Sequence, residues 1–191
     1  MAEPLVTLEE YKTYKKLTKT EADVELQFIV DSVNALVRTF VGHGIIDYYT
    51  TPAVELFNVK EGQSSLQLNE WPIVEIVSVE TRADYDKPYT IMDPVEYYVD
   101  TSVDCVYIHG KAAYWTPGYG AVKVTYKAGY ETTPLDLRIA CLDLIHHYYK
   151  EEYKDRKQIG NASIDNTNRA MALASEWPIH IIRVLDMYRN V

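Results

Sequence analysis

The stretch at residues 122–149 constrains the fold most, because a strand, a turn and a helix follow one another there without interruption. Apolar and polar side chains alternate through residues 122–126, which is the pattern of a strand with one buried face. Gly129 permits the positive φ that a sharp exit from the strand needs. Thr133 is then predicted as the N-cap of a helix with Pro134 at its first position. The stretch therefore predicts a β region joined directly to a helical region.

Two N-terminal helices precede the β region in the predicted fold. Thr7 and Glu10 form a capping box, in which each side chain satisfies a free backbone amide at the start of a short helix. Thr20 is predicted to cap a second, longer helix that ends before Gly42. The apolar stripe of this helix needs a partner face, and the helix that begins near Pro134 is the predicted partner. The predicted core residues of the helical region are Ile29, Val30, Val33, Leu36, Ile139, Leu142 and Ile145.

The pattern between the two helical regions is that of strands. Short runs of alternating apolar and polar residues fill residues 45–130, and such runs are typical of a small antiparallel sheet or barrel. The predicted fold class is α+β: a helical bundle, made of the N-terminal helix hairpin and the long central helix, with an inserted small antiparallel β-sheet or barrel and a C-terminal docking helix. The predicted segments are the hairpin (1–44), the β region (45–130), the central helix (131–157), a linker (158–176) and the docking helix (177–191).

The last segment is predicted to need a partner. Residues 158–176 are mostly small and polar, and Trp177 and Pro178 open a final helix. A helix this short is marginal in water, so a partner surface has to order it. That surface belongs either to another protein or to the same subunit, and the sequence leaves both alternatives open.

The net charge of −9 bounds the classes of partner. Duplex DNA is bound by clustered lysines and arginines, so this acidic chain argues against a dedicated DNA binder. No membrane-length apolar run and no signal peptide is evident, which predicts synthesis in the cytoplasm. Cys105 and Cys141 lie far apart and are expected to be small buried residues in a reducing compartment. The 17 tyrosines are typical of a chain with protein partners, because tyrosine is enriched at interfaces.

No residue pattern predicts catalysis, a cofactor or a metal ion. His146 and His147 diverge by about 100° on a helix, so they do not share a metal as a pair four residues apart does. Glu151 and Glu152 fit a solvated helix end better than an acid–base pair. The phosphate-loop, dinucleotide-binding and nucleophile-elbow motifs do not occur. The sequence therefore predicts a protein that is not an enzyme.

Five features follow one another along the chain: a helix start at residues 6–11, a long helix leading to Tyr48 and Tyr49, the run LQLNEWPIVEIVSV at 66–79, the run VTYKAGY at 124–130, and a last helix opened by Trp177 and Pro178. Their order resembles the head–tail connector (adaptor) proteins of long-tailed, double-stranded DNA bacteriophages. The resemblance covers most of the chain.

The resemblance implies a structural virion protein at the capsid vertex or neck, assembled in the host cytoplasm. Such adaptors form a homo-oligomeric ring, usually a dodecamer, under the portal protein, and they extend the DNA channel and offer a platform to a stopper or tail-side neck protein. Genomic double-stranded DNA is then expected to pass without specific binding, and no membrane or cofactor is involved. The implied portal-docking residues are Trp177, Pro178, Ile181, Ile182, Leu185, Tyr188 and Arg189.

Three alternatives remain open from the sequence. Another neck or tail-completion ring protein is the nearest of them. A DNA-binding accessory factor of replication belongs to a different class, and its support is the basic cluster of Lys12, Lys15, Lys16 and Lys19. An enzyme is the least favoured, since no nucleophile–base arrangement or metal set is evident.

Overall fold

A computed structural model describes residues 3–109, 113–150, 157–159, 162–164 and 177–189. The helices are α1 (Leu8–Lys15), α2 (Asp23–Val41), α3 (Leu135–Tyr149) and α4 (Ile179–Met187). The strands are β1 (Ala53–Val59), β2 (Ser65–Gln67), β3 (Ile73–Thr81), β4 (Thr90–Ile91), β5 (Tyr97–Asp100), β6 (Cys105–Ile108), β7 (Gly118–Ala128), β8 (Lys157–Ile159) and β9 (Ala162–Ile164), and a single 3-10 turn spans Pro94–Glu96. The predicted α+β class is confirmed.

The chain forms two compact units. The helical unit combines Met1–Gly42 with Thr133–Val191, so both ends of the chain contribute to it. The β unit is the uninterrupted segment His43–Thr132. None of the described helices is long and apolar enough to cross a membrane.

The ends of the helices only partly follow the predicted caps. The capping box of Thr7 and Glu10 is confirmed at the start of α1, and Gly42 ends α2 with a φ of 84°. Thr20 does not cap α2, because this helix begins at Asp23, whose carboxylate lies 2.7 Å from Lys12 Nζ. The predicted N-cap role of Thr133 is also wrong, since its hydroxyl donates a hydrogen bond of 2.8 Å to the carbonyl of Leu5.

The core of the helical unit uses only part of the face of α3 that the sequence predicts. Of the predicted core residues, Val30, Val33, Leu142 and Ile145 are buried and Ile29 is half-buried. Leu36 is 39% exposed and Ile139 is 51% exposed, so neither belongs to the core. The buried residues of α3 instead include Leu137, Ala140, Cys141 and Leu144. This helix carries apolar side chains on several sides, and the elements packed on it determine which of them face inward.

The β unit contains two antiparallel sheets instead of the one small sheet or barrel that the sequence predicts. The first sheet has the strand order β1-β7-β3-β4, and the second has the order β2-β6-β5. The long strand β7 is central to the first sheet and pairs with both β1 and β3. The strand predicted at residues 122–126 lies within β7, and the other strands of both sheets fall in the region 45–130 where short strands were predicted.

Both sheets contribute buried residues to the core of the β unit. Val122, Val124 and Tyr126 alternate along β7 on the buried side and meet Leu66, Leu68 and Val106 of the second sheet's strands and loops. Trp115 is almost completely buried, and its indole Nε1–H donates to the carbonyl of Ser64 over 3.0 Å.

The predicted linker at 158–176 falls largely outside the described residues. Strands β8 and β9 pair as a two-stranded antiparallel hairpin, which the sequence did not predict. Strand β8 begins at Lys157, the last residue of the predicted central helix.

Candidate functional site

The helix predicted to dock on a partner, α4, packs on α2 and α3 of its own unit. Ile181 and Leu185 are almost completely buried there. The Trp177 ring lies 5.5 Å from the Phe40 ring, measured between centroids, and its Nε1–H donates to the Tyr148 hydroxyl over 2.7 Å. This packing gives a short apolar helix the ordering surface that it needs.

The C-terminal end of α4 is held by polar and cationic contacts. The Tyr188 hydroxyl donates to Asp136 Oδ1 over 2.7 Å. The Arg189 guanidinium lies 5.4 Å from the centroid of the Phe40 ring, within the range of a cation–π contact. Three of the predicted docking residues, Trp177, Tyr188 and Arg189, therefore contact their own subunit.

The predicted docking residues consequently separate into two groups. Ile181, Leu185 and Tyr188 are buried, while Trp177, Pro178 and Ile182 are half-buried and Arg189 is exposed. The surface that α4 presents to solvent also includes residues that the sequence analysis did not select: Ile179, His180, Arg183, Asp186 and Met187. In the described arrangement a partner can reach Ile179, Ile182 and Arg183, but not Ile181 or Leu185. Docking by this helix stays a prediction.

A second candidate surface is a groove of about 350 Å³ between α2 and the end of α3. It is lined by Glu25, Phe28, Ile29, Ser32, Val33, Leu36, Tyr148 and Tyr149. Phe28 beside it is 76% exposed and Val24 is 88% exposed, which is unusual for large apolar side chains on a helix. The charged residue in its lining is Glu25, so this apolar surface has an acidic border.

A third candidate surface is the outward face of the first sheet. Val54 and Leu56 project from β1, opposite Thr125 and Lys123 of β7. Both are 60% exposed. The lysines of β7 are paired within the sheet, since Lys123 Nζ lies 2.6 Å from Glu80 and Lys127 Nζ lies 2.9 Å from Glu75. This face is therefore apolar at its border and charge-balanced at its centre.

A tyrosine-rich loop cluster is built around Arg82 at the end of β3. The guanidinium donates to the carbonyls of Gly120, Tyr119 and Tyr85, each over 2.9 Å. It also lies 4.5 Å from the ring centroid of Tyr85 and 4.8 Å from that of Tyr89. The φ of Gly120 is 54°, and a side chain there would displace the guanidinium of Arg82, so this position favours glycine. All of these Arg82 contacts are internal, and they hold Tyr85 and Tyr119 in exposed positions.

The basic cluster of the N-terminal helices is partly neutralised. Lys12 pairs with Asp23, and Lys15 Nζ lies 3.5 Å from the carboxylate of Asp143. Lys16 and Lys19 are exposed. Four unpaired lysines would favour binding to phosphates, but ion pairs leave only two of the four, Lys16 and Lys19, for such contacts.

The two histidines of α3 have separate surroundings. His146 Nδ1 lies 3.1 Å from the hydroxyl of Tyr11, and burial, with a smaller contribution from Tyr149, raises the pKa of Tyr11 to about 12. His147 is buried, with its ring 5.8 Å from that of Tyr148. Among the described residues, no group of three or more His, Cys, Asp or Glu side chains is placed to hold a metal ion.

Both cysteines are buried free thiols, as the sequence predicts. Burial raises the pKa of Cys141 to about 12 and also raises the pKa of Cys105. A thiol with a raised pKa is a poor nucleophile at neutral pH, because the thiolate is the reactive form.

Comparisons with known proteins match nearly the whole chain. The family model described as head completion protein matches residues 4–191. The head completion protein of Escherichia phage T5 is 24% identical over 190 residues, which cover 98% of this chain and 99% of that protein.

Solved structures with the same fold come from gene transfer agent (GTA) particles. A chain in the neck of the empty GTA particle, computed with C6 symmetry, has a TM-score of 0.61 and 14% identity, covering 100% of this chain and 90% of that one. A chain in the neck of the native GTA particle, computed with C12 symmetry, has a TM-score of 0.58 and 14% identity, covering 96% and 88%. At this identity the likeness concerns the fold.

Proposed function

This chain belongs to the head completion protein family and is a structural protein of the virion neck, and we propose that its copies form a ring under the portal at the capsid vertex. The ring extends the DNA channel and offers a platform to a stopper or tail-side neck protein. The observation that carries the proposal is the family match over residues 4–191, which leaves almost no part of the chain unassigned. The shared fold with neck chains of particles computed with sixfold and twelvefold symmetry supports a ring, with a dodecamer as the expected form.

The charge of the chain suits a channel through which DNA slides. A ring repeats the net charge of −9 in every subunit, and an acidic wall repels phosphate instead of holding it. The ion pairs of Lys12 and Lys15 remove half of the basic cluster that a DNA-binding accessory factor would use. We therefore favour passage of DNA without specific binding.

A structural role without catalysis fits the chemistry of the described residues. Both thiols are buried with raised pKa values, and no set of metal-ligating side chains comes together among the residues that the structure describes. Several large apolar and aromatic side chains, such as Val24, Phe28 and Tyr119, are exposed, and such side chains are typical of surfaces that bind other proteins.

The portal contact is proposed for the outward face of α4. Ile181, Leu185 and Tyr188 hold the helix on its own unit, and this leaves Ile179, Ile182 and Arg183 for the portal. Truncation before Trp177 does not isolate docking, because it also removes buried core residues. A surface substitution is the sharper test.

The experiment combines assembly mass with binding to portal-bearing heads. We expect the wild-type protein to add a fixed number of copies per head, measured by native mass spectrometry or quantitative gel analysis. Ile179→Lys should lower head attachment at least tenfold with an unchanged melting temperature. Val24→Lys, on the exposed side of α2, is the matched control and should attach normally. No attachment of the wild-type protein would contradict the neck role, whereas normal attachment of Ile179→Lys would contradict docking through α4 alone.

A gel shift on duplex DNA separates the proposed role from that of a DNA-binding accessory factor. We expect weak or undetectable binding at physiological salt. Tight, sequence-independent binding with a steep salt dependence would favour the accessory factor.

A further inference from the structure

The first sheet of the β unit has an open edge along β1. Strand β1 pairs with β7 on one side, and no other described strand pairs with it. Backbone hydrogen bonds from residues 54–58 to described segments other than β7 are also absent. Natural proteins protect such edges with lysine, proline or bulges, because unpaired backbone groups attract another strand. Here the outward side chains include Val54 and Leu56, and no lysine or proline lies within Ala53–Val59. The register of β1 with β7 shifts only at its end, between Phe57 and Val59.

The opposite side of the same sheet is open along most of β3. Strand β4 pairs with β3 at Glu80 and Thr81, and the next residue, Met92, donates its backbone N–H to the carbonyl of Val79 over 2.9 Å. The preceding part of β3 carries two exposed valines, Val74 (47% exposed) and Val77 (49% exposed). Both lie where the register with β7 shifts, between Ile73 and Glu75 and between Ile76 and Ser78. The sheet therefore has two different apolar borders on opposite sides of β7.

Charge decides which of the exposed apolar surfaces a second copy can approach. Each copy carries a net charge of −9, so like-charged surfaces repel on assembly. The groove on α2 is bordered by Glu25. On the sheet, the lysines of β7 balance Glu75 and Glu80. The carboxylate of Glu55, between Val54 and Leu56, accepts hydrogen bonds from Asn69 and from the Tyr126 hydroxyl. The sheet is thus the exposed apolar surface whose neighbouring carboxylates are ion-paired or hydrogen-bonded within their own copy, and this favours the approach of a second acidic copy.

We infer that the ring closes through this sheet, with the β1 border of one copy against the Val74–Val77 border of β3 in the next copy. A cyclic ring needs two different surfaces that meet head to tail, and the two borders of one sheet supply them. This inference rests on the proposed ring and names the contact that builds it. Backbone groups of β1 and the side chains of Val54 and Leu56 become buried at that contact.

A charge placed in either border should break the contact. Leu56→Lys and Val77→Lys are expected to reduce the ring fraction at least tenfold, measured by native mass spectrometry or light scattering, alone or on portal-bearing heads. Their melting temperatures as monomers should match the wild type, because both side chains are largely exposed. Phe28→Lys adds the same charge at an exposed apolar position of α2 and should leave the ring intact.

Paired cysteines test the same contact by covalent capture. Four double variants combine Val54→Cys or Leu56→Cys with Val74→Cys or Val77→Cys. Within one chain β7 separates the two strands, so the Cα atoms lie roughly 10 Å apart, beyond the ~7 Å limit of a disulfide. A bond must therefore join two copies, and mild oxidation of the correct pair should give a ladder of multimers. The native thiols, both buried, make the oxidised wild type a suitable blank.

The outcomes separate the inference from the proposed function. A wild-type ring that persists in Leu56→Lys and Val77→Lys, with no ladder from any double variant, overturns the contact and leaves the neck role standing. A wild-type protein that forms no ring, alone or on heads, contradicts the proposed function itself. Ring loss in the two border variants, with an intact ring in Phe28→Lys, supports the contact.

Discussion

The helical unit and the β unit are assembled in opposite ways. The β unit is one uninterrupted segment, His43–Thr132, whereas the helical unit joins Met1–Gly42 to Thr133–Val191. Long-range polar bonds hold the helical unit together: Asn34 exchanges two hydrogen bonds with the backbone of Val6, and Thr133 donates to Leu5. The β unit contains its own sheets and its own core. We infer that the helical unit needs both ends of the chain, whereas the β unit closes its long-range contacts, such as the pairing of Ala53 with Tyr126, within one segment.

The two units also differ in how they expose apolar side chains. In the helical unit, Val24 and Phe28 project from α2 near Glu25. In the β unit, exposed residues border a sheet whose lysines and glutamates are paired. Similar apolar exposure therefore has different electrostatic surroundings, and these favour different partners.

The largest expected effect tests the independence of the β unit. Trp115→Ala removes an almost completely buried indole and its bond to Ser64, and it should lower the free energy of unfolding of this unit by about 3–5 kcal/mol. Urea unfolding followed by hydrogen exchange resolves the two units. Tyr114→Ala is the control, because this neighbour is largely exposed. Equal loss of protection in α2 and α3 would show that the two units unfold as one.

The next largest effect tests which face of α3 is the core of the helical unit. Leu137→Ala should cost about 2–5 kcal/mol, because the side chain is completely buried. Ile139→Ala removes an exposed side chain from the same helix and should change the free energy of unfolding by less than about 0.5 kcal/mol. Chemical denaturation of both variants measures the difference. A larger cost for Ile139→Ala than for Leu137→Ala would restore the face predicted from the sequence.

The smallest effect concerns Tyr11 in the helical unit and its pH dependence. Tyr11→Phe loses the contact with His146 and should cost about 0.5–1.5 kcal/mol near pH 8. The folded protein keeps the Tyr11 proton up to a pKa of about 12, whereas the unfolded chain releases it near 10. The stabilisation that protonated Tyr11 contributes is therefore fully present below pH 10 and is lost as the pH rises from 10 to 12.

Denaturation at a series of alkaline pH values checks this prediction. Tyr11→Phe should show a shallower loss of helical-unit stability than the wild type. The alkaline loss of stability in the β unit provides the comparison, because burial and the bond to Glu55 raise the pKa of Tyr126 as well. Tyr11→Phe should leave that loss unchanged. Identical pH profiles for Tyr11→Phe and wild type would contradict the assignment.

Local signals in the sequence predicted much of the secondary structure. The capping box at Thr7 and Glu10, the positive φ of Gly42 and Gly129, and the alternation along β7 depend on neighbouring residues alone. Predictions that required knowledge of distant partners were less successful. Thr20 and Thr133 are both plausible caps in isolation, yet Asp23 is paired with Lys12 and Thr133 bonds to Leu5.

The candidate surfaces likewise divide into features that local sequence predicts and contacts that depend on distant residues. Trp177 and Pro178 mark the start of α4 in the sequence, and an apolar face on it is evident from periodicity. Periodicity does not say whether that face meets another protein or α2 and α3 of the same subunit. The cluster around Arg82 joins side chains and carbonyls 37 and 38 residues apart, so no short motif could have indicated it.

The sequence by itself determined the α+β class, most helices and strands, an acidic chain, and a resemblance to phage connectors that the family match confirms. Tertiary structure alone decided which side of α3 is buried, that Ile181 and Leu185 lie in their own unit, and that Lys123 and Lys127 are neutralised on the sheet. The physical reason is the distance along the chain over which each interaction acts. Backbone periodicity and capping act over a few residues, whereas burial and charge pairing depend on groups that folding brings together from distant positions.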